Sequence, residues 1–408
     1  MACPGGVASA PVRAGFRNRL ILLALFVALA AAGAAALPRS VSSEPEPVRA
    51  EARTATTRPT CQPASLQDRA AHVLVVGIPD VTDPSDPLVD EVLGLGVGGV
   101  LLTDGNVESH GQVAALVQDL RRRSRHPLVV STDEETGRVR TFEDVLGRTP
   151  SARRLAKEST PPAVRQRGRE LGAALASMGI DLDLAPVADL DAGPYSWIIG
   201  DRSFSADPTV ATQYALAFAA GLTDGGVRAT AKHFPGHGSA HGDDHSGRIT
   251  SSISLSDLDA THVKPFVAMV GAGIPVVMMS NVDYAALDRD LPASLSPAAY
   301  RLLRETGFRG VALTDSVGMG AVNLRWDPGT AAVKAIEAGA DGVLVTNGSF
   351  AREMVDSLAV AVQRGELSEA RLNEAAARMA ALAGGDPIAV ACQAAVVPRL
   401  TTTAGAGG

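Results

Sequence analysis

The chain has 408 residues and a formal charge of −7, from 37 Lys and Arg against 44 Asp and Glu, a balance that gives a nucleic-acid surface no support. Hydrophobic residues make up 46% and charged residues 20%, the proportions of a chain with a sizeable core, so disorder as the main state is excluded. With aromatics at 4% and 41 glycines, tight layer packing is favoured over an all-β sandwich.

Arg13, Arg17 and Arg19 precede an apolar run from Leu20 to Leu37, and no acidic residue occurs before it ends. A basic flank, an apolar stretch and small residues at its end read as a secretory signal over residues 1–37. A run of that length also just spans a bilayer, so membrane attachment through an uncleaved N-terminal anchor stays open. Either way the chain is expected to be secreted or held at the cell envelope.

Residues 38–66 are rich in Pro, Ser, Thr and Glu without apolar periodicity and read as a flexible tether. Residues 399–408 read as a loose tail. Between them, residues 67–398 form one block with no comparable linker, a length that suits a closed α/β barrel.

The block repeats one grammar. Short runs rich in Val, Ile and Leu recur at Val73–Gly77, Gly99–Thr103, Pro127–Asp133 and Ile180–Ala185, then at Val227–His233, Ile274–Ser280, Gly310–Asp315 and Asp341–Thr346. Most do not alternate, as expected of strands buried on both faces. Amphipathic Ala-rich stretches such as Gln112–Arg123, Ala163–Met178, Pro208–Asp224 and Thr330–Ala338 separate them, several ending in Gly179, Gly226, Gly273 or Gly339. Eight strands alternating with helices predict an α/β fold, a (β/α)8 barrel of TIM type, with a doubly wound open sheet as the alternative. Beyond the eighth strand one helix is expected, at Ser368–Ala383.

In a barrel the active site forms at the C-terminal ends of the strands, here marked by Asp133, Lys232-His233, Ser280-Asn281 and Asp315. The densest cluster is Lys232-His233-Phe234-Pro235-Gly236-His237-Gly238, followed by His241 and Asp243-Asp244-His245. Histidines four apart suggest a metal-binding helix face, but Pro235 and three glycines argue against any helix, so no metal is expected. Asp243, two residues before His245, can hydrogen-bond the imidazole and raise its basicity, making a general acid and base near neutral pH. Asp315 is placed for the nucleophile across the mouth. A carboxylate and a proton donor flanking a bond are what retaining glycoside hydrolysis requires.

These residues resemble glycoside hydrolase family 3, and within it the single-domain β-N-acetylglucosaminidase (β-N-acetylhexosaminidase) subgroup. The resemblance rests on KHFPGHG with its offset Asp-x-His, on the Thr-Asp-Ser stretch at Asp315, and on LAPVADLD (Leu184–Asp191), GDRSFS (Gly200–Ser205) and LPASLS (Leu291–Ser296) in the family's order. It implies that Asp315 is the nucleophile, His245 the acid/base and Asp243 its orienting partner. It also implies that Asp133, Arg202, Lys232 and His233 hold sugar hydroxyls, that the substrate is a β-N-acetylglucosaminide, and that no cofactor is needed. Arg202 has an alternative role as an ion-pair partner of Asp201 or Asp189.

Three positions depart from the family's pattern. Thr136 replaces the first Gly of Asp-x-Glu-Gly-Gly, Thr141 stands where an arginine often follows, and Asp244 replaces the commoner Ser inside Asp-x-His. Other readings are a phosphorylase, since a histidine acid/base leaves the site less negative, and a catalytically silent sugar-binding cell-wall protein. Export points to peptidoglycan fragments or chitin-type oligosaccharides, between which composition does not choose, and a monomer is the working expectation.

Once residues 1–37 are removed, two cysteines remain, Cys61 and Cys392. An exported chain with an even count invites a disulfide. Barrel closure pairs the first strand with the last, which brings the two flanking segments to one side, so Cys61 and Cys392 are expected to be bridged.

Overall fold

A computed structural model describes residues 61–191, 198–240 and 247–401. Eight short parallel strands form one sheet: β1 (Leu74–Gly77), β2 (Gly99–Leu102), β3 (Val129–Thr132), β4 (Leu182–Asp183), β5 (Arg228–Phe234), β6 (Val276–Met279), β7 (Val311–Thr314) and β8 (Val343–Val345). Neighbours in the chain are neighbours in the sheet, and β1 pairs with β8 in the register Val75–Leu344. The remaining gap closes through a bridge between Leu313 and Gly342, so the expected (β/α)8 barrel is formed.

The alternation of side chains along each strand divides the core in two. Val75, Leu101, Val129, Leu182, Val276, Met278, Val311, Leu313 and Leu344 pack together inside the barrel. Met379 and Leu382, from the helix Glu369–Leu382, join that cluster. The intervening residues, such as Val76, Val100, Val130 and Val277, belong to the outer layer between sheet and helices. Truncating one of these buried aliphatic side chains to Ala costs about 2–5 kcal/mol.

The helices begin where the sequence supplies caps. Asp207, Asp327 and Thr160 each accept a backbone N–H at the start of the helices Pro208–Asp224, Pro328–Ala338 and Pro161–Ser177, all with proline in the first turn. Two helices approach closely because of a glycine: a Cβ on Gly168 would lie 2.6 Å from the Phe218 carbonyl oxygen. Gly273 stops its helix at φ +88°, and a Cβ there would strike the Arg399 carbonyl.

Three helices follow β8 rather than the one expected: Ala351–Gln363, Glu369–Leu382 and Pro387–Ala391. Glu369–Leu382 is fastened at the N-terminal end of the strands by Asp341, a fully buried carboxylate that accepts from Arg304, Arg371 and Arg378 at 2.6, 2.7 and 2.8 Å. Burial alone would raise its pKa, but the three guanidinium groups bring it below the usual carboxylate range.

Cys61 and Cys392 are joined in a disulfide with Cα atoms 5.7 Å apart, and Ala64 donates its N–H to Val390 O at 2.9 Å beside it. The tether-like composition gives way to a helix at Leu66, capped by Ser65. At the other end, the nominal tail begins pinned: Leu400 is buried and Thr401 donates to Ala272 O at 2.8 Å. Residues 1–37, read as signal or anchor, lie outside the described residues. Among the described residues no helix is long and apolar enough to cross a membrane.

Candidate active site

The C-terminal ends of the strands surround a cavity of about 550 Å³ whose lining includes Asp133, Glu135, Arg138, Arg202, Lys232, His233 and Asp315. Asp133 directly follows β3, Lys232 and His233 lie on β5, and Asp315 directly follows β7. Arg202 ends a single 3-10 turn, Gly200–Arg202. Five of the seven residues expected from sequence therefore share one cavity. Asp243 and His245 lie outside the described residues.

Lys232 is the pivot. Its side chain is almost fully buried and its Nζ pairs with Asp133 and, at 2.5 Å, with Glu135. Burial would lower the pKa of such an ammonium, but Asp133 and Glu135 more than reverse that, so the group stays charged. Glu135 also takes both forks of Arg202, Nη2 at 2.7 Å and Nε at 2.8 Å. Burial pushes the Glu135 carboxyl up; Arg202 and then Lys232 outweigh it and hold it well below the usual range. Arg202 thus pairs with Glu135, while Asp201 receives Arg138 at 3.1 Å.

His233 is oriented from behind. Asp189, wholly buried, accepts its Nδ1–H at 2.7 Å and its backbone N–H at 3.1 Å, and takes the His237 N–H on the other oxygen at 2.7 Å. Donation from Nδ1 leaves Nε2 as the ring atom available to a ligand. Against burial, His233 and His237 keep the Asp189 carboxyl low. The Asp315 Oδ1 accepts the Ser316 N–H at 2.7 Å, and its own backbone N–H donates to Met279 O at 2.9 Å. Asn281, after β6, fixes the next residue by donating to Ser316 O at 2.9 Å.

The floor beneath Asp133 has a different character. Glu134 faces away from Lys232, accepts the Phe142 N–H at 2.8 Å, and donates its own N–H to Asp183 Oδ1 at 3.0 Å. Burial, above all, pushes the Glu134 carboxyl up to about 7 and also raises that of Asp183 well above its ordinary value. Thr136 sits at φ +99°, a backbone region that β-branched residues rarely occupy, with its hydroxyl buried. Thr141 lies beneath the site, donating its Oγ1 to Asp133 O at 3.0 Å, and Arg140 pairs with Glu143.

Sequence reasoning missed Glu135, Arg138 and Asp189 as site residues. The signal for Glu135 was present: in an extended segment, residue i+2 shares a face with residue i, so an inward Asp133 brings Glu135 with it. Arg138 reaches the cavity through a hairpin, Glu134–Thr136 with Val139–Arg140, whose register slips at Thr136. Among the described residues, no group of three or more His, Cys, Asp or Glu side chains could hold a metal ion.

The model of the glycosyl hydrolase family 3 N-terminal domain matches residues 65–382. The β-hexosaminidase LpqI of Mycobacterium tuberculosis is 36% identical over 361 residues, covering 85% of this chain and 91% of that protein. A β-hexosaminidase of Tolumonas auensis is 36% identical over 256 residues, 62% of this chain and 76% of its own. Among solved structures, a family 3 glycosyl hydrolase of Mycobacterium smegmatis superposes with a TM-score of 0.74 at 35% identity, covering 78% of this chain and 97% of that one. A family 3 β-N-acetylglucosaminidase of Paenibacillus sp. gives 0.76 at 30% identity, covering 82% of this chain and 64% of that one.

Proposed function

Since the chain belongs to glycoside hydrolase family 3 and is a β-hexosaminidase, we propose that it is an exported retaining enzyme that removes terminal β-linked N-acetylglucosamine from cell-wall or chitin-type oligosaccharides. The Asp315 carboxylate attacks the anomeric carbon as the glycosidic C–O bond breaks, and His245 gives its proton to the departing oxygen. A covalent glycosyl-aspartate results. In the second half, His245 takes a proton from water, the water oxygen attacks the same carbon, and the bond to Asp315 breaks. Asp243 orients His245 and stabilises its imidazolium.

The observation that carries this reading is the single cavity in which Asp315 meets Asp133, Arg202, Lys232 and His233. Ring hydroxyls are neutral and directional. A fixed ammonium, a forked guanidinium, a half-exposed carboxylate and an oriented imidazole offer donors and acceptors that need no rearrangement on binding. The Glu135 and Asp189 carboxylates hold these groups from behind, so sugar contacts form against a framework already in place.

Asp315→Ala tests the nucleophile. Turnover of an aryl β-N-acetylglucosaminide should fall below about 1% of wild type while N-acetylglucosamine still binds; a higher residual rate removes Asp315 from the role. Assays on muropeptides and chitobiose then decide the substrate, and product analysis with and without phosphate decides the acceptor.

A further inference from the structure

Behind the wall of the barrel mouth, one buried carboxylate joins two stretches of chain that the proposed chemistry must keep in register. Asp283 is 3% exposed and lies in the short strand Val282–Tyr284, which pairs in parallel with Ile249–Ser251. Arg248, just before that partner strand, donates its Nε to Asp283 Oδ2 and its Nη2 to Arg289 O. Arg325 donates Nη1 to both Asp283 oxygens at 3.0 and 2.9 Å and Nη2 to Asp290 O, and its guanidinium stacks 4.2 Å over the Trp326 ring.

Each arginine belongs to a different functional stretch. Arg248 follows His245 by three residues, a span that reaches at most about 10 Å. Arg325 ends the stretch after Asp315, in which Ser316, Gly318, Met319, Gly320, Asn323 and Leu324 line the cavity. Fixing Arg248 and Arg325 to one carboxylate sets where both stretches end, and Asn281, two residues before Asp283, adds the tie to Ser316 O. Two guanidinium groups this close stay together only because the carboxylate lies between them; without it they repel.

We propose that Asp283 is a positioning residue for leaving-group protonation: it touches no reacting atom, and it ties Arg248, three residues after His245 in the chain, to Arg325 at the end of the stretch that follows Asp315. The inference rests on the reading of His245 as acid/base. Its mark is a dependence on the leaving group, because a displaced acid harms poor leaving groups and spares good ones.

The test compares Asp283→Asn, His245→Ala and wild type on chitobiose and on a dinitrophenyl β-N-acetylglucosaminide, with N-acetylglucosamine inhibition and thermal midpoints measured alongside. Asp283→Asn should lose about tenfold more kcat/KM on chitobiose than on the aryl glycoside, with unchanged product inhibition, and His245→Ala should show the same bias more strongly. Equal losses on both substrates, or none, in Asp283→Asn while His245→Ala keeps its bias would overturn the inference and leave His245 in its role. A His245→Ala enzyme without bias would remove the acid/base reading and this inference with it. Should Asp283→Asn not fold, Arg248→Gln leaves Asp283 paired with Arg325; it must show the same bias, and its absence refutes the proposal.

Discussion

Replacing Glu135 by Gln takes one negative charge from between two buried cations and alters little else in shape. Glu135 accepts three bonds, two from Arg202 at 2.7 and 2.8 Å and one from Lys232 at 2.5 Å. The amide oxygen of Gln can keep one or two of these, and its NH2 must face a cation. Asp133 remains as the other carboxylate on Lys232, but its side chain is 37% exposed and water weakens its hold. Removing one partner of a buried pair costs about 3–5 kcal/mol, so the thermal midpoint should fall by roughly 6–10 °C at about 2 °C per kcal/mol for a body of this size. Catalysis should suffer more than stability. Arg202 and Lys232 would no longer be held at fixed positions, and a displacement of about 1 Å in a substrate-positioning group costs on the order of a hundredfold. The assay is kcat and KM on an aryl β-N-acetylglucosaminide well below the new midpoint, with calorimetry beside it. A kcat/KM within threefold of wild type and an unmoved midpoint would refute the claim that Glu135 holds the two cations.

Three further outcomes follow from the same geometry. Thr136→Gly should raise stability by about 1 kcal/mol in urea unfolding, because it relieves the φ of +99° and removes a buried hydroxyl; a loss of stability would mean that the Thr136 side chain holds the hairpin together. Glu134 carries a carboxyl raised from 4.5 to about 7, so the folded state keeps a proton that the unfolded chain releases, and stability should fall by up to about 3 kcal/mol as pH rises across that interval. Glu134→Gln should flatten this slope, and parallel pH profiles for the two proteins would disprove it. Thiol titration of the denatured, unreduced chain lacking residues 1–37 should find no free cysteine; reduction of the Cys61–Cys392 bond, which closes a 331-residue loop, should lower stability by at most roughly 6 kcal/mol, and two free thiols would rule the bridge out.

The barrel was legible because its strands are short unalternating aliphatic runs: seven of the eight expected runs contain an observed strand, and the fifth, Val227–His233, overlaps one that extends one residue further, to Phe234. The lengths were less legible. Ile180–Ala185 shrinks to Leu182–Asp183, since Pro186 has no N–H to offer and the segment beyond it rejoins the sheet only as an isolated bridge between Val187 and Lys232. The helix Pro387–Ala391 went unseen because five residues are too few for a periodic signal. At the site, residues ending strands were readable from the architecture. The pairings behind them were not, because the partners lie far apart in the chain: Asp189 meets His233 across 44 positions, and Arg202 meets Glu135 across 67. Thr136 was visible as a departure from the glycine pattern, and its backbone angle shows what that glycine position is for.

The central claim is that Asp315 carries the sugar covalently between the two half-reactions. Incubation with a 5-fluoro-β-N-acetylglucosaminyl fluoride, whose electron-poor ring slows the second step, should add one fluorosugar to the intact protein by mass spectrometry. Peptide mapping should place it on Asp315. An adduct on another residue, or steady turnover of this compound with no adduct and inversion at the anomeric carbon, would contradict the account.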